Sequence, residues 1–248
     1  MGIGSWQPMN QGISSDEVTA VLFDLDDTLI DSARGRAVAE AVVSRMLWDH
    51  LDTLGLCVTR ENLLSKLGCL ARRMNRRGLY DRSLWWQLLV DELDSGVTLP
   101  EARISDVTRM YWSCFHDWSR PFPDTTSALE ALLVKGYLLG LVTDTDGTAG
   151  VKNQRVSLLS FRRAFNVVVI AGEDTPETKP DVAPFKLAAS RLGLSCAECV
   201  FVGDKPSTDI VGAKRAGMKS VLLTRGTRRS HEQADFTASS LSEICRIL

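Results

Sequence analysis

The stretch Val21-Leu22-Phe23-Asp24-Leu25-Asp26-Asp27-Thr28-Leu29 decides how the chain is read. Three apolar residues run straight into an acidic turn. A short apolar run bounded by turn residues matches a buried strand of the kind a parallel sheet contains. Carboxylates just beyond such a strand lie at its C-terminal edge, where open α/β sheets bind their ligands. Asp24 and Asp26 are separated by one residue, so in extended backbone both carboxylates face the same side. Two like charges that close are unfavourable unless a cation, a shared proton or a phosphate makes use of them. Alone, the pair also fits an acidic turn that merely ends a strand.

The rest of the chain supplies the context. From Pro121 an α/β rhythm runs to the C-terminus. Thr125–Lys135 reads as a helix ended by Gly136, and Tyr137–Val142 as a strand that stops at Thr143. A helix through Val151, Val156 and Leu159 follows the turn at Thr143–Gly147, and Asn166–Ile170 is the next strand. A loop, 171–179, leads past Pro180 and Pro184 into a helix reaching Leu192. Val200–Val202 is the fourth strand, with Gly203-Asp204 at its end, and a helix over Thr208–Ala216 closes at Gly217. Ser220–Leu223 is the fifth, and a last short strand and helix lie near Asp235–Leu248. Strands alternating with helices give a doubly wound parallel sheet, an α/β core.

Between the first strand and this rhythm the period is helical throughout. Val38, Val42 and Met46 form one stripe, Val43, Leu47 and Leu51 another. Leu63, Leu67, Leu70 and Met74 follow, then Leu84, Trp85, Leu88 and Leu89, then Ile104, Val107, Tyr111, Phe115 and Trp118. Four amphipathic helices without an intervening strand predict an inserted helical bundle over 32–120. The core is then 18–31 with 121–248, and 1–17 is a loose tail. Five of the six tryptophans fall in the bundle, where packing accounts for most of them. The run Arg72-Arg73-Met74-Asn75-Arg76-Arg77 reads first as a solvated helix end; the alternative is that one arginine reaches the site and grips an anion.

Composition narrows the classes of function. A hydrophobic content of 44%, a charged content of 24% and a net charge of −2 give no case for nucleic acid or an anionic membrane. No apolar run is long enough to span a bilayer, and the first residues lack the pattern of a signal peptide. A cytoplasmic protein, monomer or homodimer, is the expectation. Cys196-Ala197-Glu198-Cys199 lacks a second pair or a nearby histidine, so a structural reading is preferred to zinc or redox chemistry. Disulfides are not expected.

FDLDDTL resembles the nucleophile motif of the haloacid dehalogenase-like (HAD) hydrolase superfamily. The family's further motifs follow in order: Thr143 after a second strand, Lys179, and Gly203-Asp204 through Asp209. The helical insertion resembles the subclass with an α-helical cap after the first motif. Val202-Gly203-Asp204, Thr208-Asp209-Ile210 and Gly217-Met218-Lys219 look like its phosphatases. Thr143-Asp144 and Gly212-Ala213-Lys214-Arg215 look like archaeal members, some assigned as glyceraldehyde 3-phosphate phosphatases.

The resemblance implies a phosphomonoester hydrolase acting on a small phosphorylated metabolite, such as a sugar phosphate or a short-chain acid phosphate. Asp24 is then the nucleophile and forms an aspartyl-phosphate. Asp26 protonates the leaving alkoxide and later takes a proton from water, its acid form favoured by repulsion from Asp24, Asp204 and Asp209. Mg²⁺ is the implied cofactor, held by Asp24, the main-chain carbonyl of Asp26, Asp204 and, directly or through water, Asp209. Thr143, Asp144 and Lys179 are the phosphate-binding positions, Lys179 supplying positive charge. Asp144 stands where the family often has Asn, and Lys205 where it often has Ser. Dehalogenation is disfavoured because dehalogenases lack the second carboxylate of the first motif. Two other classes compete: an inactive HAD scaffold kept as a binding protein, and a receiver-like phosphoacceptor module, whose motif order and length differ.

Overall fold

The computed structural model describes residues 18–93, 96–226 and 234–248; the tail at 1–17 lies outside them. In chain order the elements are β1 (Ala20–Phe23), β2 (Ile30–Asp31), α1 (Ala33–Thr53), α2 (Arg60–Arg76), α3 (Arg82–Asp91), α4 (Glu101–Trp118) and β3 (Arg120–Pro121). Then come α5 (Thr125–Val134), β4 (Leu138–Asp144), α6 (Val151–Ser157), β5 (Val167–Ala171), α7 (Ala183–Arg191) and β6 (Cys199–Gly203). The chain finishes with α8 (Val211–Ala216), β7 (Lys219–Leu223), β8 (Phe236–Ala238) and α9 (Leu241–Ile247).

Six of the strands form one sheet in the order β5-β4-β1-β6-β7-β8, and every neighbouring pair in it is parallel. Alternation along β1 explains its unbroken apolar character. Val21 and Phe23 pack into one hydrophobic cluster with Leu139, Leu141, Val200 and Val202. Ala20 and Leu22 pack into the cluster on the opposite face with Val142, Phe185 and Phe201. Both faces are covered by helices, so no position of β1 can be polar. Because β1 is flanked by β4 and β6, the chain reverses direction across the sheet at β1, and the crevice at that switch lies over its C-terminal end.

The four helices α1–α4 enclose a third cluster, which includes Val43, Leu67, Trp86, Val107 and Tyr111. The phase of α3 differs from the expected stripe. Trp85, Trp86, Leu89 and Val90 face inward, whereas Leu84 and Leu88 are exposed. Positions 85, 86, 89 and 90 share one helical face, and the two indoles bury more apolar surface than two leucines can. Two two-residue strands that sequence periodicity does not reveal, β2 and β3, pair antiparallel and join the helical unit to the sheet. The segment expected to be one helix over Thr208–Ala216 is also divided. A π-helical turn at Pro206–Ile210 precedes α8.

All six cysteines are unpaired. Burial pushes the Cys199 thiol up to about 12, which disfavours a reactive thiolate in the C-x-x-C segment. Among the described residues no helix is long and apolar enough to cross a membrane.

Candidate active site

The site forms where three strands end. Asp24 follows β1, and its N–H donates to the carbonyl of Val202 on β6 at 2.9 Å, which carries the sheet register into the acidic turn. Thr143 and Asp144 are the last residues of β4, and Asp204 follows β6 directly. Asp209 sits in the π-helical turn and folds back over the end of β6. That return requires Gly203, since a β-carbon there would lie 2.4–2.5 Å from the Asp209 side chain. Carboxylate oxygens of Asp24, Asp204 and Asp209 come within 4.8 Å of one another.

Lys179 reaches into this group from the loop after β5. Its Nζ donates to Asp24 Oδ1 at 2.6 Å and to Asp209 Oδ1 at 2.8 Å, and all three residues are buried. Burial lowers the Lys179 ammonium's affinity for its proton, but Asp209 and Asp24 outweigh burial and hold it charged well above the ordinary lysine value. Burial lifts the Asp24 carboxyl, with Lys179 opposing. Asp204, half-buried, is pushed up to about 7 by burial and by the neighbouring Asp24 and Asp209, against the pull of Lys205. The Thr28 hydroxyl lies 3.5 Å from both Asp24 and Asp204.

Two expected roles meet a different environment. Asp144 accepts a hydrogen bond from the Lys179 main-chain N–H at 2.9 Å. It therefore anchors the loop that carries the lysine, and burial raises its carboxyl, with Lys179 opposing. Asp26 is not raised by the other carboxylates as expected. Lys152 Nζ donates to its Oδ2 and Arg155 Nη2 to its Oδ1, both at 2.7 Å. Burial favours the acid form of Asp26, yet Arg155 and Lys152 outweigh it and hold the carboxyl well below the usual range. Both cations are shared with Asp146, so Asp26, Asp146, Lys152 and Arg155 make a closed set of two carboxylates and two bases. Lys152 and Arg155 are three residues apart on α6, hence on one helical face directly after the β4 turn, and that spacing was available in the sequence.

A cavity of about 390 Å³ lies over these groups, bounded by Asp24, Asp26 and Thr143 from the sheet edge and by Tyr80, Arg82 and Trp112 from the helical unit. Contact between the two parts is close at Gly147, where φ is +86° and a β-carbon would sit 2.0 Å from the Asp81 nitrogen. The basic run on α2 is divided. Arg73 pairs with Glu92, whereas Arg76 lines the cavity.

A family model described as haloacid dehalogenase-like hydrolase matches residues 18–217. The chain is 30% identical over 220 residues to a glyceraldehyde 3-phosphate phosphatase of Methanopyrus kandleri, covering 87% of this chain and 88% of that protein. It is 30% identical over 247 residues to a phosphoglycolate phosphatase of Neisseria meningitidis, covering 95% of each. The crystal structure of a HAD phosphatase from Thermococcus onnurineus superposes with a TM-score of 0.69 at 27% identity, over 93% of this chain and 97% of that one.

Proposed function

The chain belongs to the haloacid dehalogenase-like hydrolase family, and from that premise we propose that it is a Mg²⁺-dependent phosphomonoester hydrolase acting on a small phosphorylated metabolite. The observation that carries the reading is the juxtaposition of Asp24 with Lys179 and two further carboxylates at the switch of a parallel sheet. Asp24 is the nucleophile. Its carboxylate attacks phosphorus, the ester oxygen leaves with the bonding pair, and an aspartyl-phosphate forms. Lys179 orients Asp24 through the 2.6 Å hydrogen bond and places positive charge where the phosphoryl oxygens gather negative charge. Thr143, buried and lining the cavity, offers its hydroxyl to the same oxygens.

The donor set fits a hard divalent cation. Three carboxylates lie together, and burial, with the neighbouring carboxylates, pushes Asp204 up to about 7. Asp24, Asp204, Asp209 and the main-chain carbonyl of Asp26 would hold Mg²⁺, which when bound neutralises phosphoryl charge. Asp26 is the acid and base. Lys152 and Arg155 hold it as a carboxylate, the form that takes a proton from the attacking water in the second half-reaction. Its service as an acid in the first half requires that this clamp loosen when substrate enters.

The helical unit is the cap that excludes water and meets the part of the substrate that is not phosphate. The test is a screen of purified protein against phosphorylated metabolites with and without Mg²⁺. Metal-dependent phosphate release from a small ester supports the reading, and inertness toward the whole panel contradicts it.

A further inference from the structure

Among the described residues, one buried cation in the wall of the catalytic cavity is in no ion pair; Arg76 and Lys205, which also line it, are exposed. Arg36 is paired with Asp27 at 3.0 Å, and Lys152 and Arg155 are paired with Asp26 and Asp146. Arg82 lines the same cavity, is 7% exposed, and makes no ion pair among the described residues. Among the described residues its one hydrogen bond runs from Nη1 to the Tyr80 carbonyl at 2.8 Å, and its buried Nε has no partner. Glu40 is near enough to feel Arg36, Arg82 and Arg72, but it is not in ion-pair contact with Arg82.

The guanidinium lies 3.6 Å from the centroid of the Trp85 ring and within 5.2 Å and 5.4 Å of Tyr111 and Trp112. Aromatic faces hold a cation in place but do not replace the hydration that burial removes. An arginine cannot escape by losing its proton. A buried, aromatic-braced guanidinium with no carboxylate in contact is therefore an incomplete ion pair that lines the cavity, and the missing member is an anion. It is also preorganised, because its stack and the Tyr80 carbonyl fix it before anything binds.

Resting on the phosphatase reading above, we propose that Arg82 is the specificity-determining residue for a second negative charge on the substrate, and that this charge is a carboxylate. One uncompensated buried cation matches one monoanion. Arg76, exposed at the cavity rim, adds attraction on entry without being enclosed. The substrate class is then the phosphate esters of short hydroxy acids, with the phosphoryl group at Asp24 and the carboxylate toward the cap. Neutral-tailed esters of the same length leave Arg82 unpaired in a closed cavity.

The experiment compares 2-phosphoglycolate with ethyl phosphate, which has the same carbon chain and no carboxylate. In the unaltered protein kcat/KM for the acid is expected to be higher by roughly 30-fold or more. In Arg82→Met this ratio falls toward one, and in Arg82→Lys it is intermediate, with KM for the acid carrying most of the change. A binding arm needs no turnover. Phosphonoacetate is expected to bind the unaltered protein more tightly than ethylphosphonate by calorimetry, and Arg82→Met to erase the difference. Equal kcat/KM for the two esters in the unaltered protein overturns the proposal, whether or not the variants fold. So does a ratio that Arg82→Met leaves unchanged. Preferential binding of phosphonoacetate without hydrolysis of any ester supports the subsite and removes the phosphatase reading, so the two failures are distinct.

Discussion

Replacing Lys179 with methionine separates the electrostatics of the site from its packing, because the two side chains have similar length and only the charge is lost. In the native structure Lys179 is 4% exposed and its ammonium holds Asp24 at 2.6 Å and Asp209 at 2.8 Å, residues that are 3% and 0% exposed. Removing one member of a buried ionic set leaves the rest uncompensated, at a cost of about 3–5 kcal/mol. For a chain of this size each kcal/mol moves Tm by roughly 2–4 °C, so a fall on the order of 10 °C is expected. The sign with pH follows from the raised Lys179 value. Its stabilisation is complete below the unfolded lysine value and is lost only as pH rises through the still higher folded one, so it is constant across the neutral range. In Lys179→Met the carboxylates lose the cation in direct contact with them, leaving only Lys205 nearby, and one takes up a proton on acidification. The deficit should therefore shrink between about pH 8 and pH 5. Thermal unfolding by circular dichroism at the two pH values measures this, with phosphatase turnover assayed alongside and expected to be abolished. A variant within about 1 kcal/mol of the parent at pH 8, or one that still turns over at near-parental rate, would refute the reasoning.

Arg155→Gln removes one of the two cations on Asp26, so its carboxyl should rise toward the ordinary range. If Asp26 donates the proton, the alkaline limb of kcat for an alkyl phosphate moves to higher pH, while nitrophenyl phosphate, whose leaving group needs no acid, shows no shift. Chelation by EDTA should abolish activity and Mg²⁺ restore it. Because the Asp204 carboxyl is raised to about 7, the chelated protein should lose thermal stability as pH rises from about 5 to 7.5, and added Mg²⁺ should narrow that gap; a gap indifferent to Mg²⁺ counts against the metal assignment. Gly147→Ala places a β-carbon at a positive φ against the Asp81 backbone, costing about 1 kcal/mol or more in strain alone. Its expected signature is a raised KM with a modest fall in Tm, and an unchanged KM would mean the contact at Tyr80–Asp81 does not govern closure.

How much of this was legible in the sequence varies with the range of the interaction. β1 announces itself because both of its faces are buried, which leaves an unbroken apolar run. The order of Thr143, Lys179, Asp204 and Asp209 along the chain is likewise a sequence property, and the parallel sheet brings them to one edge. The links β2 and β3 are two residues each, too short for any periodicity. The phase of α3 is not legible in sequence because Leu84, Leu88 and the indoles are all apolar, and only packing chooses among adjacent apolar faces. The π-helical turn keeps a helix-like composition while shifting Asp209 over Gly203. Asp26 shows the limit of local sequence. Its neighbours in sequence are carboxylates, but Lys152 and Arg155, more than a hundred residues away, determine its charge. Arg82 was hidden for a related reason, since an arginine without an acidic partner is recognisable only once every neighbouring side chain is in place.

The most direct measurement is acid-quenched peptide mass spectrometry during turnover of a good substrate with Mg²⁺. The account predicts one phosphoryl group on the peptide that carries Asp24, formed and discharged at rates competent for turnover, and absent together with activity in Asp24→Asn. A phosphoryl group found on another residue, or an Asp24→Asn protein that hydrolyses the ester at the parental rate, would contradict it.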